Sequence, residues 1–296
     1  MDENENEWLA ERFEEHRAHL RSVAYRMLGS LAEADDAVQD AWLRVNRAGA
    51  DGVDNLGGWL TTIVARVCLN MLRSRNRRRE ESLGVRLPDP VISLQREFQP
   101  EAQAVLADSV GLALLVVLDT LSPAERLAFV LHDMFELPFE EIAPVVGRSP
   151  AATRQLASRA RRRVKGAALL APDPDLARQR AVVDAYFQAT RGGDFDALVA
   201  LLDPEVVLRA DYSARRPAAS VVIHGAAAVA KQARGIPGAL IHPALVNGAA
   251  GAVITVRGRP FAVMGFTVVA GKIVEIDAIA DPERVRRIAA AVLCDE

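Results

Sequence analysis

Seven Lys and Arg residues and no Asp or Glu stand between Arg148 and Lys165, and their spacing suits contact with nucleic acid. Ser149-Pro150 is a helix start, with a capping hydroxyl followed by a proline at the first helical position. On the helix that follows, Ala152, Leu156, Ala160 and Val164 make an apolar stripe. Ala151, Arg154, Gln155, Ser158 and Arg159 point the other way, with Arg148 and Ser149 at the start of the same side. Arg and Gln have the donor geometry for guanine and adenine edges in a major groove. Arg161, Arg162, Arg163 and Lys165 suit phosphates, which fix position without reading sequence.

The residues just before supply a frame for that helix. Ser122-Pro123-Ala124-Glu125 forms a capping box, with the serine at the N-cap and the glutamate three residues on. Pro138, with Glu140 and Glu141 in the first turn, opens a short helix that Gly147 can close. A short helix, a glycine turn and a basic helix make a helix-turn-helix. The alternative is a solvated basic helix in an ordinary bundle, which explains the charge but not the order of caps and turn. Pro144 is discordant: inside the first helix it removes a hydrogen bond and should kink or shorten it.

Charge is segregated along the 296 residues, whose formal net is only −3. Residues 1–54 hold six Arg against thirteen Asp and Glu, residues 55–79 hold six Arg and no acid, and residues 171–296 balance at fourteen of each sign. Two separate basic blocks imply two places of contact with nucleic acid. Half the residues are hydrophobic, ample for two or three cores, yet no apolar run reaches membrane-spanning length. The acidic start is no signal peptide, and Cys68 and Cys294 are too few and too far apart for a disulfide framework or a metal site.

The first basic block belongs to a helical module. Trp8, Leu9, Phe13, Leu20, Val23, Ala24, Met27 and Leu28 recur at helical spacing up to Gly29. Ser30 can cap a second helix with Ala34, Ala37, Val38, Ala41 and Val45 on one side and Glu33, Asp35, Asp36, Gln39 and Asp40 on the other. A third carries Leu56, Leu60, Ile63, Val64, Val67, Met71 and Leu72, then runs into Arg73, Arg75, Arg77, Arg78 and Arg79. Taken alone, an acidic helix and a basic one are equally well two solvated faces. Trp59 fits a core position better than a base-stacking platform.

The succession changes that balance. Asp-Asp-Ala-Val-Gln-Asp-Ala-Trp-Leu-Arg (35–44), Gly-Trp-Leu-Thr-Thr-Ile-Val-Ala-Arg-Val-Cys-Leu-Asn-Met-Leu-Arg (58–73) and the helix-turn-helix together resemble an extracytoplasmic-function bacterial sigma factor over residues 8–165. The resemblance implies a partnership with core RNA polymerase, through the β′ clamp helices and the β flap, and with promoter DNA. It makes Asp35, Asp36, Gln39, Asp40 and Leu43 polymerase contacts and Arg66, Asn70, Arg73, Arg75 and Arg77 contacts to the −10 element. The −35 element falls to Arg148, Ser149, Ala151, Arg154, Gln155, Ser158, Arg159 and Arg162. Where many members carry Asn and Asp on the −10 helix, this chain has Arg66 and Asn70. An acidic helix is suited to a protein surface, and basic side chains can hold displaced single strand.

Between the two readers, Leu87-Pro88-Asp89-Pro90 forces extended backbone, a linker that bends around something. Arg86-Leu-Pro-Asp-Pro is similar to the Trp-Leu-Pro-Glu-Pro linker of the subgroup of these sigma factors with a SnoaL-like C-terminal extension. Leu106–Leu121 returns to helix. Ala171-Pro-Asp-Pro-Asp175 reads as a hinge, before a helix through Tyr186 and Phe187 that ends at Gly192-Gly193. Asp194 can cap a short helix, and strands follow at 206–210, 220–223, 239–247, 252–257, 261–269 and 273–279, the last pair joined at Ala270-Gly271. Where the subgroup has Asp-Gly-Gly-Gly-Lys, this chain has Asp211-Tyr-Ser-Ala-Arg, and its Asn-Pro-Asp-Lys-Leu tail is met by Asp281-Pro-Glu-Arg-Val. Asp211, Tyr212, His224 and Asp277, with His242, are the candidates for a pocket, and none forms an acid/base spacing that demands catalysis.

The expected fold is multidomain: two all-α modules, sigma region 2 (1–80) and the sigma region 4 helix-turn-helix (106–168), joined by a proline-containing linker (81–105). An α+β cone similar to the SnoaL and nuclear-transport-factor fold follows at 175–296. The expected protein is cytoplasmic, uses no cofactor, metal or catalytic residue, touches no membrane, and needs no separate anti-sigma factor if its third domain regulates it. Two other classes stay open: a helix-turn-helix regulator acting without polymerase, and a DNA-binding protein fused to a SnoaL-like isomerase or cyclase.

Overall fold

The computed structural model describes residues 3–50, 52–79, 87–93, 111–167, 172–212 and 220–290, with the side chains of 3–6, 78 and 79 left aside. The chain divides into two compact units, one holding residues 1–81 and 114–169 and the other holding 82–100 and 170–296. Arg86, Cys294 and the 106–110 start of the expected fourth helix lie outside the described residues.

The first unit opens with α1 (Glu3–Leu28), α2 (Leu31–Ala48) and α3 (Leu56–Arg79). Leu9, Phe13, Leu20, Val23, Ala24, Met27 and Leu28 are buried as their spacing predicts, whereas Trp8 is exposed. The buried face of α2 is mostly alanine, which lets α1 and α3 approach closely. Ser30 occupies the N-cap but its hydroxyl caps nothing. α4 (Leu112–Asp119) leads into α5 (Pro123–Phe129), whose capping box forms as expected: Ser122 Oγ accepts from the Glu125 amide, and Glu125 Oε2 accepts from the Ser122 amide at 3.2 Å. A π-helical turn (Val130–Met134) follows, then α6 (Phe139–Val146) and α7 (Pro150–Gly166). α6 passes through Pro144 and ends two residues later at Val146, capped by Gly147, whose φ of 73° is left-handed.

These two helical groups meet at one buried guanidinium. Arg126, 2% exposed, donates from Nε and Nη2 to the Arg26 carbonyl on α1 at 3.1 and 3.0 Å and from Nη1 to Asp119 at 3.0 Å. Beside it the Arg26 guanidinium lies 4.9 Å from the Phe135 ring centre. Cys68 on α3 is fully buried, which pushes its thiol up to about 12, so it is an inert core thiol.

The second unit begins with α8 (Leu176–Gly192), α9 (Phe195–Leu201) and β2 (Leu202–Asp211), preceded in sequence by the two-residue strand β1 (Ile92–Ser93). β3 (Val221–His224), α10 (Ala226–Gln232), β4 (Ala239–Val246), β5 (Ala249–Val256), β6 (Arg259–Val269), β7 (Lys272–Ile279) and α11 (Pro282–Ile288) complete it. The seven strands form one open sheet in the order β1-β4-β5-β6-β7-β2-β3, with only β2 and β7 parallel. α8 lies on one face over a core of Tyr186, Phe187, Phe266, Val268 and Ile276. The expected hinge at 171–175 is pinned where it is described. Asp173 accepts from the Ala270 and Gly271 amides of the β6–β7 turn at 2.9 and 3.0 Å, and Asp175 caps α8.

Candidate nucleic-acid interface

On α3, Arg66, Asn70, Arg73 and Arg77 are all exposed. Their steps of four, three and four residues keep them within one helical face. Arg75 does not share it. Nine residues after Arg66, it points to the opposite side, where Nη1 donates to the Leu28 carbonyl at 3.1 Å and Nη2 pairs with Glu33. It is a clasp between α3 and the α1–α2 corner, not a surface contact.

On α2, Asp35, Asp36, Gln39, Asp40 and Leu43 are exposed opposite the buried alanines. Asp35 pairs with Arg21 and Asp40 with Arg44, both at exposed positions where such pairs contribute little to stability. Leu43, 45% exposed, is an apolar residue amid these carboxylates. The combination fits a protein surface better than it fits DNA.

On α7, Ser149 Oγ accepts from the Ala152 amide, and Thr153, Leu156, Ala157 and Ala160 are buried. The apolar face is therefore rotated by one residue from the expected 152–156–160–164 stripe, because Thr153 and Ala157 fill the contact and Ala152 and Val164 flank it. Ala151, Arg154, Gln155, Ser158, Arg159 and Arg162 remain exposed. The arginines differ in their readiness for a partner. Arg154 lies 5.1 Å from the Phe139 ring centre, beside Glu140 at 3.9 Å. Arg159 and Arg163 both pair with Glu125, at 3.0 and 2.7 Å, and Arg161 pairs with Asp133. Burial pushes the Glu125 carboxyl up, but Ser122, Arg159 and Arg163 together hold it below the usual carboxylate range. Arg148, Arg162 and Lys165 have no ion pair among the described residues.

Within the second unit, residues 87–93 are held by three polar side chains that local sequence reading did not connect. Asp211 Oδ2 accepts from the Leu87 amide at 3.1 Å, and Asn247 Oδ1 accepts from the Val91 amide at 2.7 Å. Arg284 donates to the Leu87 carbonyl at 2.6 Å, to Asp89 at 2.8 Å and to Asp211 at 2.5 Å. Ile92 and Ser93 then pair with Val246 and Leu245 of β4. Leu87, Pro88, Asp89 and Pro90 are all buried. Burial pulls the Arg284 guanidinium down, but Asp89 and Asp211 outweigh it and hold its pKa above the ordinary value.

The expected pocket residues are thus dispersed. Asp211 holds the linker. Asp277, buried on β7, pairs with Arg209 at 3.2 Å, and burial pushes its carboxyl up to about 6 against that pairing. His224 is exposed at the end of β3, and His242 bonds Thr255 across the β4–β5 pair. Tyr212 alone of the five borders the cavity on the other face of the sheet.

Two family descriptions match the helical part: Sigma-70 region 2 at residues 12–78 and Sigma-70, region 4 at residues 111–164. The chain is 40% identical over 287 residues to ECF RNA polymerase sigma factor SigJ of Mycobacterium tuberculosis, covering 92% of this chain and 91% of the relative. The chain belongs to the ECF RNA polymerase sigma factors. It is also 36% identical over 273 residues to the probable ECF sigma factor SigI of M. tuberculosis, covering 90% and 91% of the two chains. The crystal structure of M. tuberculosis SigJ superimposes with a TM-score of 0.71 at 35% identity, covering 93% of this chain and 97% of that one. The likeness therefore runs through both sigma regions and the sheet unit of this sigma factor.

Proposed function

We propose that this sigma factor docks on core RNA polymerase through the α2 face and reads promoter DNA with two helices. Arg66, Asn70, Arg73 and Arg77 on α3 face the −10 element, and α7 presents Arg154, Gln155, Ser158 and Arg159 to the −35 element. The observation that carries this reading is the separation of an exposed acidic face from two exposed basic ones on successive helices. The β′ clamp helices suit the first face, and the β flap suits region 4. The sheet unit regulates the protein by holding residues 87–93, the segment between its two DNA readers, and turns over no substrate. An inhibitor in the same chain has a high effective concentration, which makes a separate anti-sigma factor dispensable. The site of action is the cytoplasm, with the polymerase; no helix among the described residues is long and apolar enough to cross a membrane.

Run-off transcription with core enzyme, on the promoter upstream of its own gene, tests the whole reading. Reversing charge at Asp36 and Asp40 to Lys is expected to abolish most core binding, while each change costs folding within about 0.5 kcal/mol because both side chains are exposed. Undiminished core binding by the double variant sinks the assignment of α2.

The readout on α7 has its own signature. Arg154→Ala is expected to cost about 1–3 kcal/mol on the preferred −35 sequence and to relax one base position. Arg162→Ala should weaken all sequences alike and lower the salt slope by about one. A promoter library on which both variants behave identically overturns the division into readers and phosphate contacts.

A further inference from the structure

The sheet unit contains a cavity of about 340 Å³ on the face of the sheet opposite the linker. That is the lower end of the range for small-molecule sites and about eleven water volumes, so the space suits a ligand of about a dozen non-hydrogen atoms. Its walls are apolar: Phe187 from α8, Leu208 from β2, Ile254 from β5 and Met264 from β6. Tyr212, Ile236 and Phe261 stand at its border and are 37%, 38% and 41% exposed. Large apolar side chains left open around a concave apolar space mark a binding site more often than a bare surface.

The polar groups are as informative. Among the described residues, no Asp, Glu or His lines the cavity. Burial pushes the Tyr186 phenol up to about 12, so it stays neutral at physiological pH. The described lining therefore has no group that could take or give a proton at neutral pH, which favours holding a molecule over transforming it. At one end it shares Thr190, Arg191, Ala233, Arg234 and Gly235 with a second, open hollow of about 430 Å³, which Lys231 also lines. Among the described residues three cations and no acid surround that hollow, and none of the three forms an ion pair there. A dry chamber opening onto unpaired guanidinium groups selects for an apolar body carrying an anionic head.

We propose that this cavity binds an amphipathic organic carboxylate of about a dozen non-hydrogen atoms, its ring or alkyl body between α8 and the sheet and its carboxylate at Arg191 and Arg234. The site adjoins the linker clasp through the backbone alone. Leu208 and Ala210 of β2 line the cavity, while the next residue, Asp211, points to the opposite face and holds Leu87 and Arg284. A ligand that shifts β2 therefore acts on the residue that fastens the linker, a consequence that rests on the regulatory reading above. The binding itself does not.

Calorimetry on the full chain with 2-naphthoate and with decanoate, against the neutral 2-naphthalenemethanol, tests it. Saturable binding of a carboxylate is expected, at least about tenfold tighter than the alcohol, since a hydrogen bond to a charged group is worth more than a neutral one. The double variant Arg191→Gln, Arg234→Gln should lose that tenfold advantage and keep the weak affinity for the alcohol, and Ala239→Phe at the rim should weaken both. Equal affinity for acid and alcohol, or an unchanged acid affinity in the arginine variant, overturns the anion assignment. Absence of binding by every probe at millimolar concentration overturns the site. Neither readout involves transcription, so failure of the regulatory reading shows instead as unaltered amide exchange at 87–93 in the ligand-bound protein.

Discussion

Replacing Arg284 with Met is expected to lower the stability of the sheet unit by about 3–5 kcal/mol and to free residues 87–93. Its guanidinium lies between two carboxylates, Asp89 and Asp211, whose side chains are 6% and 3% exposed. Removing the cation leaves both buried, with the exposed Arg287 still bonded to Asp89 at 2.8 Å. Two buried carboxylates that lose the cation between them repel and cannot regain water without undoing the contact. The unfolding midpoint of the full chain should drop by about 10 °C or more. Hydrogen exchange should show the Leu87 and Val91 amides, now bonded to Asp211 and Asn247, losing protection first. Arg284→Lys keeps the charge but cannot reach three acceptors at once, so it should fall between. Unchanged exchange at those amides in Arg284→Met would show that the network does not fasten the linker.

The second large effect is expected at Arg126. Its three nitrogens serve the Arg26 carbonyl and Asp119, so Arg126→Met removes the donor to a buried carbonyl and to a partly buried carboxylate at the contact between the two sigma regions. A loss of about 3 kcal/mol or more follows from breaking a buried, hydrogen-bonded charge pair. The contact also bears on DNA reading. Elements centred ten and thirty-five base pairs upstream lie about 85 Å apart at 3.4 Å per step, far more than two helices packed in one compact unit can span. The seated Arg126 therefore belongs to a state that cannot read both elements together. Its loss should expand the chain in small-angle scattering and raise apparent affinity for core polymerase, because the competent state no longer has to be drawn from a closed one. A variant with unaltered midpoint and radius of gyration rules out this clasp.

Much of the site was legible because its signals are local. The capping box at Ser122 and Glu125, the left-handed Gly147 and the Ser149 cap each depend on residues within one turn, and each formed. The face of Arg66, Asn70, Arg73 and Arg77 follows from spacing alone. So does the inward turn of Arg75, which the same arithmetic places half a helix away but which reads as one more basic residue when charge is counted without angle. The hairpin at Asn247-Gly248, with φ of 49° and 78°, falls at the break between the strands expected at 239–247 and 252–257, where Asn-Gly is a strong turn signal. What stayed hidden is non-local. Nothing near Asp89 announces Arg284, and nothing near Glu125 announces that Arg159 and Arg163 share it. The candidate pocket acids were chosen for their chemistry, but strand alternation places Asp211 and Asp277 on the face away from the cavity.

The linker network also sets an order of events during synthesis. Arg284 lies 195 residues beyond Asp89. At about 5–20 residues per second, roughly 10–40 s separate the appearance of the linker from that of its cation. By then both helical regions have already left the ribosome, and residues 87–93 have carried Asp89 without the guanidinium that later fastens it. The fastening is made only after both DNA-reading regions. Every newly synthesised molecule thus passes through an interval in which it holds its DNA-reading helices but not yet the restraint on what joins them.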